Sequence, residues 1–112
     1  MRLGELETMA RACMGRPLPL VVINDGALGT MKSRARARGL PELTSFTLGL
    51  DGVDYAAIAR ACGCGGVTCD TPEGFRAALA DALAADGPVV IDAKVDPRVY
   101  HDSFGATIGA VE

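Results

Sequence analysis

Hydrophobic and polar positions along the first third of the chain follow a helical period and then give way to a continuous apolar run, after which the composition favours a helix again. Residues 3–13 carry apolar side chains at helical spacing, which predicts an amphipathic helix that ends before Gly15. Residues 18–23 form a short continuous apolar run rich in β-branched residues, typical of a strand buried in a parallel sheet. Asn24-Asp25-Gly26 ends that strand, and residues 27–38 favour a second helix.

The second half of the chain repeats this alternation. Residues 55–61 predict a helix, 66–69 a short strand, 71–86 a longer helix with an apolar stripe from Phe75 to Leu83, and 89–95 a strand. Strands separated by single helices need right-handed crossover connections, which build a parallel sheet with helices on both faces. The predicted fold class is therefore α/β. Residues 40–53 show no clean period, and we interpret them as a functional loop.

Composition limits the size of the protein and the kinds of partner it can have. With 112 residues and 49% hydrophobic content, the chain can bury one core, so we expect a single domain over residues 1–112. A net charge of -3 provides no broad basic field for nucleic acid or anionic lipid, and we expect neither as a partner. No apolar run reaches the length of a bilayer span, and the N-terminus lacks a secretory signal, so we expect a cytoplasmic location.

The four cysteines could in principle form disulfides or bind a metal. Cys62 and Cys64 lie close to Cys69, but a typical zinc site has a pair of ligands in each half, and here the second half offers one cysteine and no nearby histidine. We therefore interpret all four, including Cys13, as small apolar residues in a reducing compartment.

The most informative residues for function follow the first predicted strand. Open parallel sheets bind ligands beyond the carboxyl ends of their strands, and Asn24-Asp25-Gly26-Ala27-Leu28 occupies that position. A carboxylate, an amide, a glycine and a helix N-terminus can together hold a hard cation and a diphosphate. The same residue types also form an ordinary turn and helix cap, so the pattern alone leaves both interpretations open.

Several ordered motifs resemble the acetolactate synthase and benzoylformate decarboxylase type of thiamine-diphosphate enzyme. These motifs are Gly4-Glu5-Leu6-Glu7-Thr8, the run from Leu18 to Leu28, the segment Asp54–Gly63 and the segment Gly87–Pro97. The resemblance covers most of the chain, from Leu3 to about Tyr100, and corresponds to the C-terminal, diphosphate-binding domain of these enzymes.

The resemblance implies specific roles for the residues after the first strand. In the family, a segment that begins with Gly-Asp-Gly and ends with Asn-Asn holds Mg²⁺ and the cofactor's diphosphate, and Asn24-Asp25 matches the closing pair. By that match the Asp25 side chain and the Ala27 carbonyl are metal ligands, and Asn24, Gly26 and Leu28 join them in binding the cofactor. No Gly-Asp-Gly precedes Gly4, so the resemblance implies an incomplete domain truncated just after that motif.

The resemblance also implies what the chain would do and what it would need. The expected function is a partial thiamine-diphosphate and Mg²⁺ site of a decarboxylase or carboligase that acts on a small 2-oxo acid. The chain contains no catalytic residue of its own by this match, because the family's catalytic glutamate lies on a separate pyrimidine-binding domain. We therefore expect a homo-oligomer, or a partner chain that carries the pyrimidine-binding domain, and inactivity of the chain alone. A non-catalytic assembly or regulatory module, or an unrelated small α/β binding domain, is the alternative.

Overall fold

The computed structural model describes residues 3–40 and 52–98, and within them three strands and four helices are complete. In chain order they are α1 (Leu3–Ala12), β1 (Leu18–Asn24), α2 (Gly29–Ala37), α3 (Tyr55–Ala61), β2 (Gly65–Cys69), α4 (Pro72–Leu83) and β3 (Pro88–Lys94). Each element lies where the hydrophobic pattern predicts it. Most of the predicted functional loop, residues 41–51, lies outside the described residues.

The chain divides into two compact units, and the sheet belongs to the first of them. That unit contains Met1–Ile23 and Asp54–Lys94, whereas the second contains Asn24–Val53 and Val95–Glu112. The strand order is β1-β3-β2, so the last strand in sequence lies in the middle. Strands β2 and β3 pair in parallel, from Gly65 opposite Val89 to Cys69 opposite Ala93.

The central strand β3 packs against helices on both of its faces, which confirms the predicted α/β architecture. Ile91 is fully buried in one cluster with Ala78 and Ala82 of α4. The next residue back, Val90, is also fully buried, but in a second cluster with Leu6 of α1 and Ala59 of α3. Successive side chains of a strand point to opposite faces, so α4 covers one face of the sheet and α1 and α3 cover the other.

Helix α3 lies unusually close to strand β2, and a glycine makes this approach possible. A Cβ atom added to Gly66 would lie 2.2 Å from the carbonyl oxygen of Ala56. The Arg60 guanidinium adds a bond across the same contact by donating to the Gly66 carbonyl oxygen at 2.8 Å. The absence of a side chain at Gly66 therefore lets the backbones of α3 and β2 come into contact.

Helices α3 and α4 begin at residues whose side chains cap them. Asp54 Oδ1 accepts a hydrogen bond from the Ala57 amide at 2.8 Å, and Thr71 Oγ1 accepts one from the Gly74 amide at 3.1 Å. The predicted apolar stripe of α4 is correct except at its end, because Leu83 is 56% exposed. The helical period places Leu83 about 100° from Ala82, at the edge of the stripe.

The buried cysteines occur on opposite sides of the sheet. Cys64 packs with Leu6 and Val90 and donates a hydrogen bond from Sγ to the Leu6 carbonyl oxygen at 3.3 Å, whereas Cys69 packs in the cluster of Ile91. Burial raises the pKa of both thiols. Both cysteines therefore behave as core residues, as their sequence context predicted.

We expect native-state alkylation to divide the cysteines into two classes. Iodoacetamide near neutral pH should modify the half-buried Cys13 and Cys62 first, because only thiolates react and burial raises the pKa of Cys64 and Cys69. Peptide mass spectrometry over time measures the order, and a denatured sample with equal rates at all four thiols is the control. Early modification of Cys64 in the folded chain would contradict its burial between Leu6 and Val90.

Candidate functional site

The segment that follows β1 is held in place by its first residue. Asn24 ends the strand and is buried, with 6% of its surface exposed. Its carbonyl oxygen accepts a hydrogen bond from the Val95 amide, the residue after β3, at 2.9 Å. The beginning of the turn is therefore fixed to the backbone that leaves the central strand.

Two consecutive side chains fold the backbone of this turn. Asn24 Oδ1 accepts from the Gly26 amide at 3.0 Å, and Asp25 Oδ1 accepts from the Ala27 amide at 3.1 Å. Asn and Asp favour such turns because their short side chains reach the backbone two residues ahead. Gly26 has a φ of 70°, in the left-handed region that a side chain disfavours. The sequence Asn-Asp-Gly therefore determines the shape of the turn.

Asp25 keeps one carboxylate oxygen available after this turn forms. Its Oδ1 accepts from Ala27, and Oδ2 makes no hydrogen bond or ion pair with any residue in the described part of the chain. The residue is only half-buried, so solvent or a ligand can reach it. Within residues 3–40 and 52–98 no three acidic, cysteine or histidine side chains come together as a metal site. Asp25 thus offers a single carboxylate, which suits a cation that shares most of its ligands with a phosphate.

Helix α2 directs its positive end toward the same turn. The helix begins at Gly29, and its first backbone bond runs from the Lys32 amide to the Leu28 carbonyl oxygen at 2.9 Å. The amides of Gly29 and Met31 therefore have no partner within the helix. No acidic residue occupies the first turn of α2, so nothing there neutralises the partial positive charge. Such a helix start attracts anions, and phosphates in particular.

The five predicted residues divide into two groups in the structure. Asn24 is buried and shapes the turn from within, through the hydrogen bond that its Oδ1 accepts from the Gly26 amide. Asp25, Gly26 and Ala27 are half-buried, and Leu28 is 48% exposed, so all four are accessible. The sequence placed these residues together by adjacency, whereas burial distinguishes Asn24 from the other four.

Sequence reasoning missed one charged pair on the central strand. Asp92 is fully buried in β3, and its Oδ2 lies 3.1 Å from Nζ of Lys94, whose side chain is 40% exposed. Residues two apart on a strand share a face. The sequence could therefore have indicated this pair, because the aspartate stands in an otherwise apolar strand two residues before a lysine. The Lys94 ammonium thus neutralises the buried carboxylate of Asp92.

The fold defines the class of this protein as a parallel α/β domain, in which the Asn24–Leu28 turn follows the first strand. The sequence profile of the family described as thiamine pyrophosphate enzyme, C-terminal TPP binding domain, matches residues 1–93. The chain belongs to this family, as its motifs indicated.

Two curated proteins are similar to most of this chain. A Mycobacterium tuberculosis protein with the provisional name acetolactate synthase large subunit IlvB2 is 36% identical over 84 residues, which cover 75% of this chain and 15% of the relative. A Bacillus subtilis protein provisionally described as thiamine pyrophosphate-containing, YdaP, is 32% identical over 79 residues, covering 70% of this chain and 13% of the relative. The chain thus spans about one seventh of the length of these curated relatives.

Within residues 3–40 and 52–98, no helix is both long enough and apolar enough to cross a membrane.

Proposed function

We propose that the turn from Asp25 to Leu28 binds the diphosphate of thiamine diphosphate together with Mg²⁺, and that the chain is one part of an enzyme acting on 2-oxo acids. The observation that carries this proposal is the available Oδ2 of Asp25 in the turn that leads into α2, where the Gly29 amide has no partner within the helix. A carboxylate and a helix N-terminus have opposite preferences, one for cations and the other for anions. A metal diphosphate is a ligand that satisfies both.

The residues of the turn fit this ligand in size as well as in charge. Gly26 has no side chain, so a phosphate can approach the backbone closely where φ is 70°. Asp25 would provide an oxygen to the metal through Oδ2, and the Ala27 carbonyl a second one. The Gly29 amide would donate to a phosphate oxygen. Asn24 would hold these groups in position through its bond to the Gly26 amide at 3.0 Å.

The whole reaction requires groups from outside this turn. When bound, thiamine diphosphate supplies the carbanion chemistry, and the protein contributes position and electrostatics. We propose that a pyrimidine-binding domain, on another chain or another part of a longer one, holds the other end of the cofactor and provides the proton-transferring carboxylate. The proposed reactions are decarboxylation or carboligation of a 2-oxo acid in the cytoplasm, by analogy with the acetolactate synthase relative.

The test of this proposal is a calorimetric titration of the chain with thiamine diphosphate in the presence of Mg²⁺. A half-site should bind weakly, with a dissociation constant of roughly 0.1–1 mM. Asp25→Ala should weaken binding about tenfold or more, because a hydrogen bond or contact to a charged group contributes about 1.5–3 kcal/mol. This variant removes the oxygen proposed to bind the metal, while Asn24 still accepts from the Gly26 amide and holds the start of the turn.

The controls separate a specific site from general attraction. Asp81→Ala removes an exposed carboxylate on α4 and should leave the affinity unchanged. Inorganic diphosphate with Mg²⁺ should compete with the cofactor, since the proposed contacts involve only its diphosphate end. Binding that is equally strong in wild type and Asp25→Ala, or that does not depend on Mg²⁺, would refute the proposed role of Asp25.

A further inference from the structure

We infer that Cys13 and Cys62 form a modification site, in which a hydroperoxide oxidises the two thiols to a reversible disulfide. Both cysteines are free and half-buried, whereas Cys64 and Cys69 are buried. A role as small core residues accounts for the buried two and leaves the half-buried pair without a function. Oxidants act on accessible thiols, and a second cysteine nearby converts the oxidised one into a disulfide.

Helix α1 contacts the connection between α3 and β2, residues 62–64, in a regular order. Cys64 Sγ donates to the Leu6 carbonyl oxygen at 3.3 Å. A Cβ atom added to Gly63 would lie 3.5 Å from Cβ of Ala10. One turn along α1 toward its C-terminus therefore corresponds to one residue back along the connection. The second distance also lies within the range of about 3.5–4.5 Å between the Cβ atoms of a disulfide, so the two backbones approach closely enough for a bridge.

Cys13 and Cys62 are the next residues in this order. The Cys13 amide donates to the Met9 carbonyl oxygen at 2.9 Å, so the helical geometry of α1 continues through Cys13. Residues three apart on a helix share a face, and Cys13 therefore follows Ala10 on the side toward the connection. Cys62 precedes Gly63 and packs against the same buried cluster as Ala10. The order thus places Cys13 opposite Cys62.

Two further observations place both cysteines at the edge of the sheet where β2 and β3 begin. The Gly15 amide donates to the Asp86 carbonyl oxygen at 2.6 Å, so the end of α1 is bonded to the residues just before β3. Cys62 lies just before β2, the parallel neighbour of β3. Burial raises the pKa of the Cys64 thiol, and the thiolate charges of Cys62 and Cys13 raise it further, because both lie near it.

One hydroperoxide molecule is sufficient to oxidise the pair. The sulfur of one thiolate attacks a peroxide oxygen and the O–O bond breaks, which gives a sulfenic acid and an alcohol, or water where the oxidant is hydrogen peroxide. The second thiolate then attacks the sulfenic sulfur, so that the S–S bond forms and the hydroxyl group leaves as water. The two thiols lose two electrons to the peroxide, and their protons end on the alcohol and the water. A dithiol reverses the reaction by thiol–disulfide exchange.

Peptide mapping without reductant tests this inference on the chain after treatment with a small excess of hydrogen peroxide. We expect a bond that joins the tryptic peptide of Cys13 to that of Cys62, with fragmentation spectra placing it on Cys62 and not on Cys64. Dithiothreitol should remove it. Cys13→Ser and Cys62→Ser should each abolish the bond. Cys69→Ala is the matched control and should retain it, because Cys69 packs on the opposite face of the sheet.

The position of the bond and its effect on stability decide the outcome. A bond to Cys64, a bond between two copies in a mixture of isotope-labelled and unlabelled chains, or no bond would overturn the inference. The expected bond should raise the melting temperature by about 5 °C or more above that of the reduced sample, because it closes a long loop in the unfolded chain. A lower melting temperature would contradict the placement of Cys13 opposite Cys62. None of these readouts depends on cofactor binding, so the proposed function is tested separately.

Discussion

Gly66→Ala is expected to destabilise the protein by about 3 kcal/mol or more, the upper range for overpacking in a core. The new Cβ would lie 2.2 Å from the Ala56 carbonyl oxygen, which belongs to the backbone of α3 and cannot rotate away. Helix α3 would have to move off β2, separating Ala59 from the cluster that it forms with Val90. Chemical denaturation followed by circular dichroism measures the loss in the free energy of unfolding. The loss is large compared with the total of about 5–15 kcal/mol for a small domain.

The same substitution elsewhere in the chain is the control for this prediction. Gly4 lies in α1, and a Cβ added there would have no atom within 4 Å. Gly4→Ala should therefore stabilise the protein by up to about 1 kcal/mol, because alanine is a better helix former than glycine. Equal effects of the two variants would show that α3 does not approach β2 as closely as described.

Ile91→Ala is the second change with a large expected effect, a loss of about 3–4 kcal/mol. Ile91 has no exposed surface and lies on the central strand, so removing its side chain leaves a cavity beneath α4 that neighbouring strands hold open. The buried neighbours of Ile91 on α4 are Ala78 and Ala82. Their side chains are too short to fill the cavity.

Leu83→Ala provides the comparison for this second prediction. It removes a side-chain volume similar to that removed by Ile91→Ala. Because Leu83 is 56% exposed, the free energy of unfolding should change by no more than about 0.5 kcal/mol. Both variants can be measured by the same urea titration, with an unchanged denaturant slope as evidence that the unfolded state is the same. A cost below about 1 kcal/mol for Ile91→Ala would contradict the position of β3 at the centre of the core.

The sequence was sufficient to predict the order and type of the elements because their signals are local. The apolar run at residues 18–23 and the cap formed by Thr71 before Pro72 each depend on a few neighbouring residues. The strand order β1-β3-β2 depends on crossovers between distant segments, and no local pattern determines which strand lies in the middle. The close contact at Gly66 likewise joins residues from different elements, so the glycine alone did not reveal it.

For the candidate site, too, the sequence predicted the local features and did not predict those that depend on the surrounding structure. Asn24-Asp25-Gly26 could be selected from its place after a strand, and the family resemblance assigned a ligand to it. Asn24 and Asp25 are similar residue types, and the sequence could not show that Asn24 is buried while Asp25 is half-buried with one carboxylate oxygen unused in the turn. The Asp92–Lys94 pair was missed because a single charge in an apolar strand resembles the end of that strand until its burial is known.

The measurement that tests the central claim most directly is an amide chemical-shift titration of the labelled chain with thiamine diphosphate and Mg²⁺. If the turn binds the diphosphate, the largest shifts will occur at the amides from Asp25 to Gly29, and they will vanish when Mg²⁺ is removed. The amides at the start of α4, which also follow a strand, should not move. Shifts centred on another part of the chain, or no shifts at saturating cofactor, would contradict diphosphate binding at this turn.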